Sequence, residues 1–288
     1  MKTILITGAS SGIGKHTAIE LGKQGYRLII HGIDFEGTKA VYDEIVANGN
    51  SNVFMHVADF SNMSGVKKFA DEVKSEVDVI DALYNNAGAQ FGDVRQVSDE
   101  GHEKTLAINV LAPFLLTHLL LPLLKKSESA RIVTQSSEGY HLGGEPCLED
   151  IELEQEGHYQ FGYAYNSSKR FVWWIMNEYA DRLKAEGVKN VTVNCCEPGV
   201  SMETGLDKIS KQNPEYAKIM ENYKQFSRPV SVAAECGIYL LTSPEVEGMT
   251  GGFYGDCQPK EIDPVAVSEE GQKFVWNFCE KVCAAYME

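Results

Sequence analysis

The stretch "LITGASSGIGKHTAIEL", residues 5–21, passes from an apolar run through three glycines into a segment with helical spacing. Gly8 suits the tight turn leaving a strand, Gly12 lets backbone approach a bound group, and Gly14 permits close helix–strand contact. A helix opening there aims free N–H groups and the positive end of its dipole at one point, which favours an anion such as a pyrophosphate. A glycine cluster alone is weak evidence, since any tight turn can use one. Its place between the first strand and the first helix makes it read as a dinucleotide loop.

Working outward, strand-like runs occur at 3–7, 27–31, 52–57, 79–85, 131–136, 191–196 and 251–255. Helical stretches lie between them near 12–24, 36–48, 62–75, 101–126, 164–186 and 231–242. The strands are short and apolar without strict alternation, as expected when helices cover both faces of a parallel sheet. The expected fold is therefore α/β: one doubly wound, Rossmann-type domain over 1–288, with a parallel sheet of about seven strands flanked by helices. Two segments break the rhythm, 138–164 and 198–230. Long loops at strand carboxyl ends are where such folds bind ligands, so both are expected to form the substrate pocket.

A formal charge of −15 argues against nucleic acid or an anionic membrane as the main partner. The seven cysteines follow no disulfide or zinc spacing, Cys195 and Cys196 should face opposite ways on a strand, and the seven histidines are scattered. The expectation is reduced, mostly core-packing thiols in a cytoplasmic protein, with no metal site. No secretory signal precedes the first strand. The most apolar span, "VLAPFLLTHLLLPLL", is about 15 residues, short of the ~20 that a membrane helix needs, so it reads as a core or interface helix and no membrane anchor is expected.

Further motifs appear in order: Asp59 with Phe60 in "VADFS", "NNAG" at 85–88, Tyr165 and Lys169 in "YNSSK", and Pro198-Gly199 followed by Val200. With the Gly8, Gly12, Gly14 spacing, nearly the whole chain resembles the short-chain dehydrogenase/reductase family, in its compact branch. It is most similar there to retinol-dehydrogenase-like and carbonyl-reducing members. The resemblance implies cofactor contacts from Gly8, Ser10, Ser11, Gly12, Ile13 and Gly14, from Asp59 and Phe60, and from Asn86, Ala87 and Gly88. It adds Pro198, Gly199 and Val200, together with Tyr165 and Lys169. Relatives place a threonine five residues after the proline. Here Glu203 stands there and Thr204 follows, so Thr204 is the candidate if a local insertion shifts it.

By the same resemblance the catalytic set is Asn109, Ser137, Tyr165 and Lys169, with Ser136 the adjacent alternative to Ser137. The residue types suit the chemistry. Tyr165 and Lys169 share a helical face one turn apart, and a phenol of pKa ~10 needs a nearby cation to act as an acid/base near neutrality. Ser137 would hydrogen-bond the reacting oxygen, and Asn109 would hold a water leading from Lys169 to solvent. Trp173 and Trp174, further along, read as core or interface residues. Tyr140, His141, Tyr159, Phe161 and Tyr163 give the first loop an aromatic character that either lines a pocket or packs the loop down.

Cofactor preference turns on Gly32 and Ile33, where relatives carry an acid for NAD or an arginine for NADP; neither is present. Asp34 falls two places beyond the specificity acid. Gly32 would leave room for a phosphate, with His31, Lys39 or Lys15 as possible charges, so NADP(H) is favoured. The expectation is an NAD(P)(H)-dependent oxidoreductase acting on a small-molecule carbonyl or alcohol of hydrophobic character. A homo-oligomer through the 101–126 and 164–186 helices is also expected. The alternative is a cofactor-binding regulatory or scaffold protein without turnover, which an incomplete catalytic set would favour; this set is complete.

Overall fold

In the computed structural model, which describes residues 1–204 and 214–288, strand residues sort by parity. Ile4, Ile6, Leu28, Ile30, Ala82, Tyr84, Val133 and Cys196 enter one core cluster, while Leu5, Ile29, Leu83, Ile132, Val193 and Cys195 enter another. Successive strand side chains point to opposite faces, so a sheet buried on both sides needs apolar residues at every position. That is why these strands read as unbroken apolar runs, and why Cys195 and Cys196 part company.

The strands are β1 (Thr3–Ile6), β2 (Arg27–Gly32), β3 (Val53–Val57), β4 (Ala82–Asn85), β5 (Ala130–Gln135), β6 (Val191–Cys196), β7 (Phe253–Gly255) and β8 (Gln258–Pro259). Their order is β3-β2-β1-β4-β5-β6-β7-β8. The first seven are parallel as expected; β8, two residues long, is an added antiparallel edge hairpinned onto β7. Strand order reverses direction between β1 and β4, and open α/β sheets bind ligands in the crevice above such a switch point.

Helices α1 (Gly12–Lys23), α2 (Phe35–Ala47) and α3 (Met63–Glu76) follow the first three strands. After β4, a helix runs from α4 (Lys104–Leu106) through a π turn (Ala107–Leu111) into α5 (Ala112–Leu124). Its 21 residues are long and apolar enough for a membrane span, yet 78% of its most apolar window is buried in the protein, as in a core helix. Next come α6 (Phe161–Ala185), α7 (Pro214–Tyr223), α8 (Val230–Thr242) and α9 (Glu269–Cys283). Two of these lie outside the expected pattern: α7 within the second expected loop, and α9. Residues 205–213 of that loop, and the Phe161 side chain, lie outside the described residues.

Helix α9 changes the expected association surface. Trp276 meets the Phe114 ring edge-on at 5.1 Å and the Tyr179 ring at 4.7 Å, with the Arg182 guanidinium 4.2 Å from the indole. A Cβ on Gly271 would stand 2.5 Å from the Trp174 ring, so α9 lies directly on α6. The chain's own C-terminal helix thus covers part of the α5–α6 face that the sequence assigned to a partner. Trp174 is core, its Nε1–H donating to Ala266 O at 2.9 Å.

Candidate active site

The glycine loop is stitched to the segment after β4. Thr7 Oγ1 donates to Tyr84 O at 3.2 Å and accepts from the Asn86 and Ala87 N–H groups, both at 3.0 Å. Asn86 Nδ2 donates back to Thr7 O at 2.8 Å and Gly8 O at 3.3 Å. Gly8 has φ 67°, and a Cβ there would lie 2.8 Å from Ala87 Cα. At Gly14 a Cβ would stand 2.3 Å from Gly8 O and 2.4 Å from Asn86 Nδ2. Gly14 is therefore required by the loop and Asn86 more than by strand contact. No side chain caps the start of α1 at Ser11, which leaves that helix end to a ligand. Ser10 is half-buried beside the turn, while the Ile13 side chain packs on Ala233 and Ala234, so Ile13 offers only main chain.

His31 anchors this loop from below, a role the sequence did not reveal. Its Nδ1 accepts from Gly8 N–H at 3.4 Å and its Nε2 meets Ala58 O at 3.0 Å. A carbonyl can only accept, so Nε2 carries the proton and the ring is neutral. Burial pulls the imidazole pKa down to about 4. The ring stacks on Phe60 at 3.8 Å, which places the Phe60 side chain in the core. Asp59 is exposed at the end of β3, with one oxygen held by Ser61 N–H.

Lys169 is almost fully buried, its Nζ donating to Gln135 O at 3.0 Å and lying 5.6 Å from the centre of the Tyr165 ring. Burial lowers its pKa to about 8. A Cβ on Gly88 would lie 3.4 Å from both Lys169 Nζ and Asn109 Oδ1, so Gly88, Lys169 and Asn109 converge. Asn109 sits in the π turn, closed by Ala112 N–H to Ala107 O. Its Oδ1 accepts from Ala89 N–H at 2.8 Å, and its Nδ2 donates to Ala89 O and Ser168 Oγ, both at 2.9 Å. The Asn109 side chain is therefore occupied in holding the segment after "NNAG" against α6. Ser168 continues the chain to Tyr165 O at 2.7 Å.

The two serines after β5 separate cleanly. Ser136 is buried, its Oγ donating to Lys169 O at 3.0 Å. Ser137 is partly exposed and begins a 3₁₀ turn (Glu138–His141), its Oγ accepting from Gly139 N–H at 3.0 Å. Ser137 is thus the serine available to a substrate, on the side towards Asn166.

Beyond β6, Gly199 (φ 67°) donates its N–H to Glu197 Oε2 at 2.6 Å, and a Cβ there would meet the Arg228 guanidinium at 2.6 Å. Val200 O accepts from Arg228 N–H. Thr204 folds over the glycine loop, its Cα 3.4 Å from where a Gly12 Cβ would be. Glu203 accepts from Val230 N–H at the start of α8. The glutamate thus caps a helix while the threonine meets the loop.

Comparison with known proteins places this arrangement. The short chain dehydrogenase profile matches residues 2–145. Retinol dehydrogenase 14 of Mus musculus is 35% identical over 293 residues, covering 97% of this chain and 85% of that protein. Retinol dehydrogenase 12 of Bos taurus is 32% identical with the same coverage. The chain belongs to the short chain dehydrogenase family. Among solved structures, the Pseudomonas aeruginosa RhlG/NADP active-site complex is 25% identical with a TM-score of 0.67, covering 88% of this chain and 93% of that one. Levodione reductase, 20% identical with a TM-score of 0.69, shares the fold. As a short chain dehydrogenase the protein is an oxidoreductase.

The region that sets cofactor choice in this dehydrogenase differs from the sequence reading. Gly32 does not leave open space, because a Cβ there would lie 2.0 Å from Thr38 Oγ1 and 2.9 Å from Ser10 Cβ. Asp34 is the N-cap of α2, accepting from Gly37 N–H at 2.6 Å. His31, being neutral, supplies no charge for a phosphate. Lys15 pairs with Glu44 at 3.5 Å and Lys39 with Asp43 at 2.5 Å, all partly exposed, while Ile33 is open to solvent. The first loop's aromatics mostly brace it. Tyr140 is buried with its OH accepting from Asp263 N–H, Tyr159 OH donates to Gly92 O, and Tyr163 OH donates to Glu145 O.

Proposed function

We propose that this dehydrogenase interconverts a carbonyl and an alcohol on an apolar small molecule, using NADP(H). The observation that carries the reading is the buried Lys169 ammonium beside the Tyr165 ring, where Gly88 and Asn109 converge on it. The glycine loop fits a dinucleotide: a helix start that no side chain caps, reached through a tight turn with Gly8 at φ 67° and Gly12 at φ 56°. When bound, the nicotinamide supplies or accepts the hydride.

In reduction, Tyr165 gives its phenolic proton to the carbonyl oxygen. Lys169, positively charged at neutral pH, stabilises the phenolate left behind. Ser137 Oγ–H hydrogen-bonds the oxygen where negative charge builds. Asn109 acts by fixing Ala89 and Ser168, and through them Gly88 and the start of α6. Proton return from solvent past Lys169 would use a water in this region. Apolar side chains exposed on the two loops, Leu142 and Phe226, are the candidate substrate contacts, and the retinol dehydrogenase relatives support an apolar alcohol or aldehyde. NADP(H) is favoured because position 32 has no room for a ribose-binding acid, Asp34 is engaged as a cap, and the RhlG complex holds NADP. Free thiols at all seven cysteines support residence in a reducing cytoplasm.

The test is a parallel titration with NADPH and NADH followed by a carbonyl screen, on wild type and Tyr165→Phe. NADPH should bind at least about tenfold tighter, and the variant should bind it normally while losing turnover by roughly 10²–10⁴-fold. Tighter NADH binding overturns the cofactor assignment, and normal turnover in the variant overturns the role of Tyr165.

A further inference from the structure

The β7–β8 hairpin sends a lysine side chain towards the candidate site. Lys260 directly follows β8, and its N–H donates to Phe253 O at 2.8 Å, which extends the hairpin by one more pair. Its Nζ donates to two carboxylates that follow neighbouring strands: Glu138 Oε1, beyond the end of β5, and Glu197 Oε1, beyond the end of β6, the latter at 3.1 Å. A glycine keeps the path open. A Cβ on Gly255 would stand 2.3 Å from Glu197 Oε1 and 2.5 Å from Lys260 Cδ, so a larger residue in β7 would push the pair apart.

Each carboxylate stands one step along the chain from a candidate site group. Glu138 follows Ser137 and opens the 3₁₀ turn, in which Ser137 O accepts from Tyr140 N–H at 3.1 Å. Glu197 precedes Pro198-Gly199, and its second oxygen, Oε2, accepts from Gly199 N–H at 2.6 Å. The Glu197 side chain is only 4% exposed, and a carboxylate so buried is costly unless it is paired. The same hairpin reaches the Pro198-Gly199 turn at a second point. Asp256 pairs with Arg228, whose guanidinium lies 2.6 Å from where a Gly199 Cβ would be. From the other side, α6 holds the far end of the Ser137 turn, Arg170 Nε donating to Tyr140 O at 2.8 Å. The Glu138 end is left to Lys260.

We propose that Lys260 is a positioning residue: it fixes the separation between the Ser137 turn and the Pro198-Gly199 turn, and through them the reacting oxygen relative to the nicotinamide. One ammonium between two carboxylates is a short spacer. Removing its charge breaks both bonds at once and leaves Glu138 and Glu197 to repel each other. The kinetic consequence rests on the proposed reaction, whereas the clamp itself does not.

Wild type, Lys260→Met, Lys260→Arg and Glu138→Ala are compared by hydrogen–deuterium exchange and by turnover with NADPH. Lys260→Met should lose protection in peptides spanning 137–142 and 197–201, and its kcat should fall roughly 10–100-fold with little change in KM for NADPH. Lys260→Arg should keep the protection and recover most of kcat. Glu138→Ala, a change at a partly exposed side chain, should lose protection at 137–142 alone, and it decides the matter if Lys260→Met does not fold. Placed on Ser137→Ala, Lys260→Met should cost less in kcat than on wild type, because one group it positions is already gone. Unchanged exchange at 137–142 in Lys260→Met or Glu138→Ala, or an equal kcat cost with and without the Ser137 hydroxyl, overturns the inference. A wild type without turnover, with protection still lost in Lys260→Met, overturns the proposed reaction and upholds the clamp.

Discussion

Replacing Lys169 by methionine should remove catalysis and raise stability together. The folded-state pKa of about 8 lies below the ordinary 10.5, so holding the ammonium in its buried site is unfavourable at neutral pH. At about 1.4 kcal/mol per pKa unit the cost is on the order of 3 kcal/mol, and losing the bond to Gln135 O offsets roughly 1 kcal/mol of the gain. Lys169→Met should therefore be more stable than wild type by about 2 kcal/mol at pH 7. That corresponds to a Tm higher by roughly 3 °C for a chain of 288 residues. The gain must depend on pH in one direction. Between pH 8 and 10.5 the unfolded wild type still holds a proton that the folded form has shed, so wild-type stability rises there and the variant's advantage shrinks. Thermal unfolding of both proteins at pH 7 and pH 9.5 reads this directly, because other titrations cancel in the difference. A variant no more stable than wild type at pH 7, or an advantage that grows with pH, would refute the reasoning.

The two serines should separate in the same assays. Ser137→Ala should lower kcat by roughly 10²–10³-fold, whereas Ser136→Ala should keep kcat within about twofold and lose ~1 kcal/mol in denaturant unfolding. Gly14→Ala forces a methyl group to within 2.3 Å of Gly8 O; fluorescence titration should show NADPH binding lost, with ~1–3 kcal/mol of destabilisation. Trp276→Ala removes the indole lying on Phe114 and Tyr179 and should cost about 3–5 kcal/mol, with earlier elution in size-exclusion chromatography as apolar helix surface is uncovered.

The seven parallel strands were legible because a sheet covered on both faces leaves a strong local mark: short apolar runs punctuated by glycine. β8 left no such mark, since two residues carry no periodicity. Helix α9 was missed because charged residues interleave its buried Val275, Trp276, Cys279 and Cys283. The candidate catalytic residues were named by family resemblance, but their packing was not legible. Nothing local shows that Asn109 bonds a backbone segment twenty residues away, or that Ser136 turns inward. Gly32 misled because a missing side chain looks like space, when a threonine hydroxyl six residues on already fills it. His31 looked like a cation because burial, which decides its charge, is invisible in a string of letters.

Closure of the α5–α6 surface by α9 sets an order of events during synthesis. Leu115, Leu116, Leu119 and their neighbours leave the ribosome well over a hundred residues before Trp276 does, and meanwhile one flank of an oily helix pair stands bare to the cell. That flank stays open to water until α9 emerges and folds back onto it. A premature stop between residues 170 and 268 would release a product carrying every proposed catalytic group and a surface prone to clump.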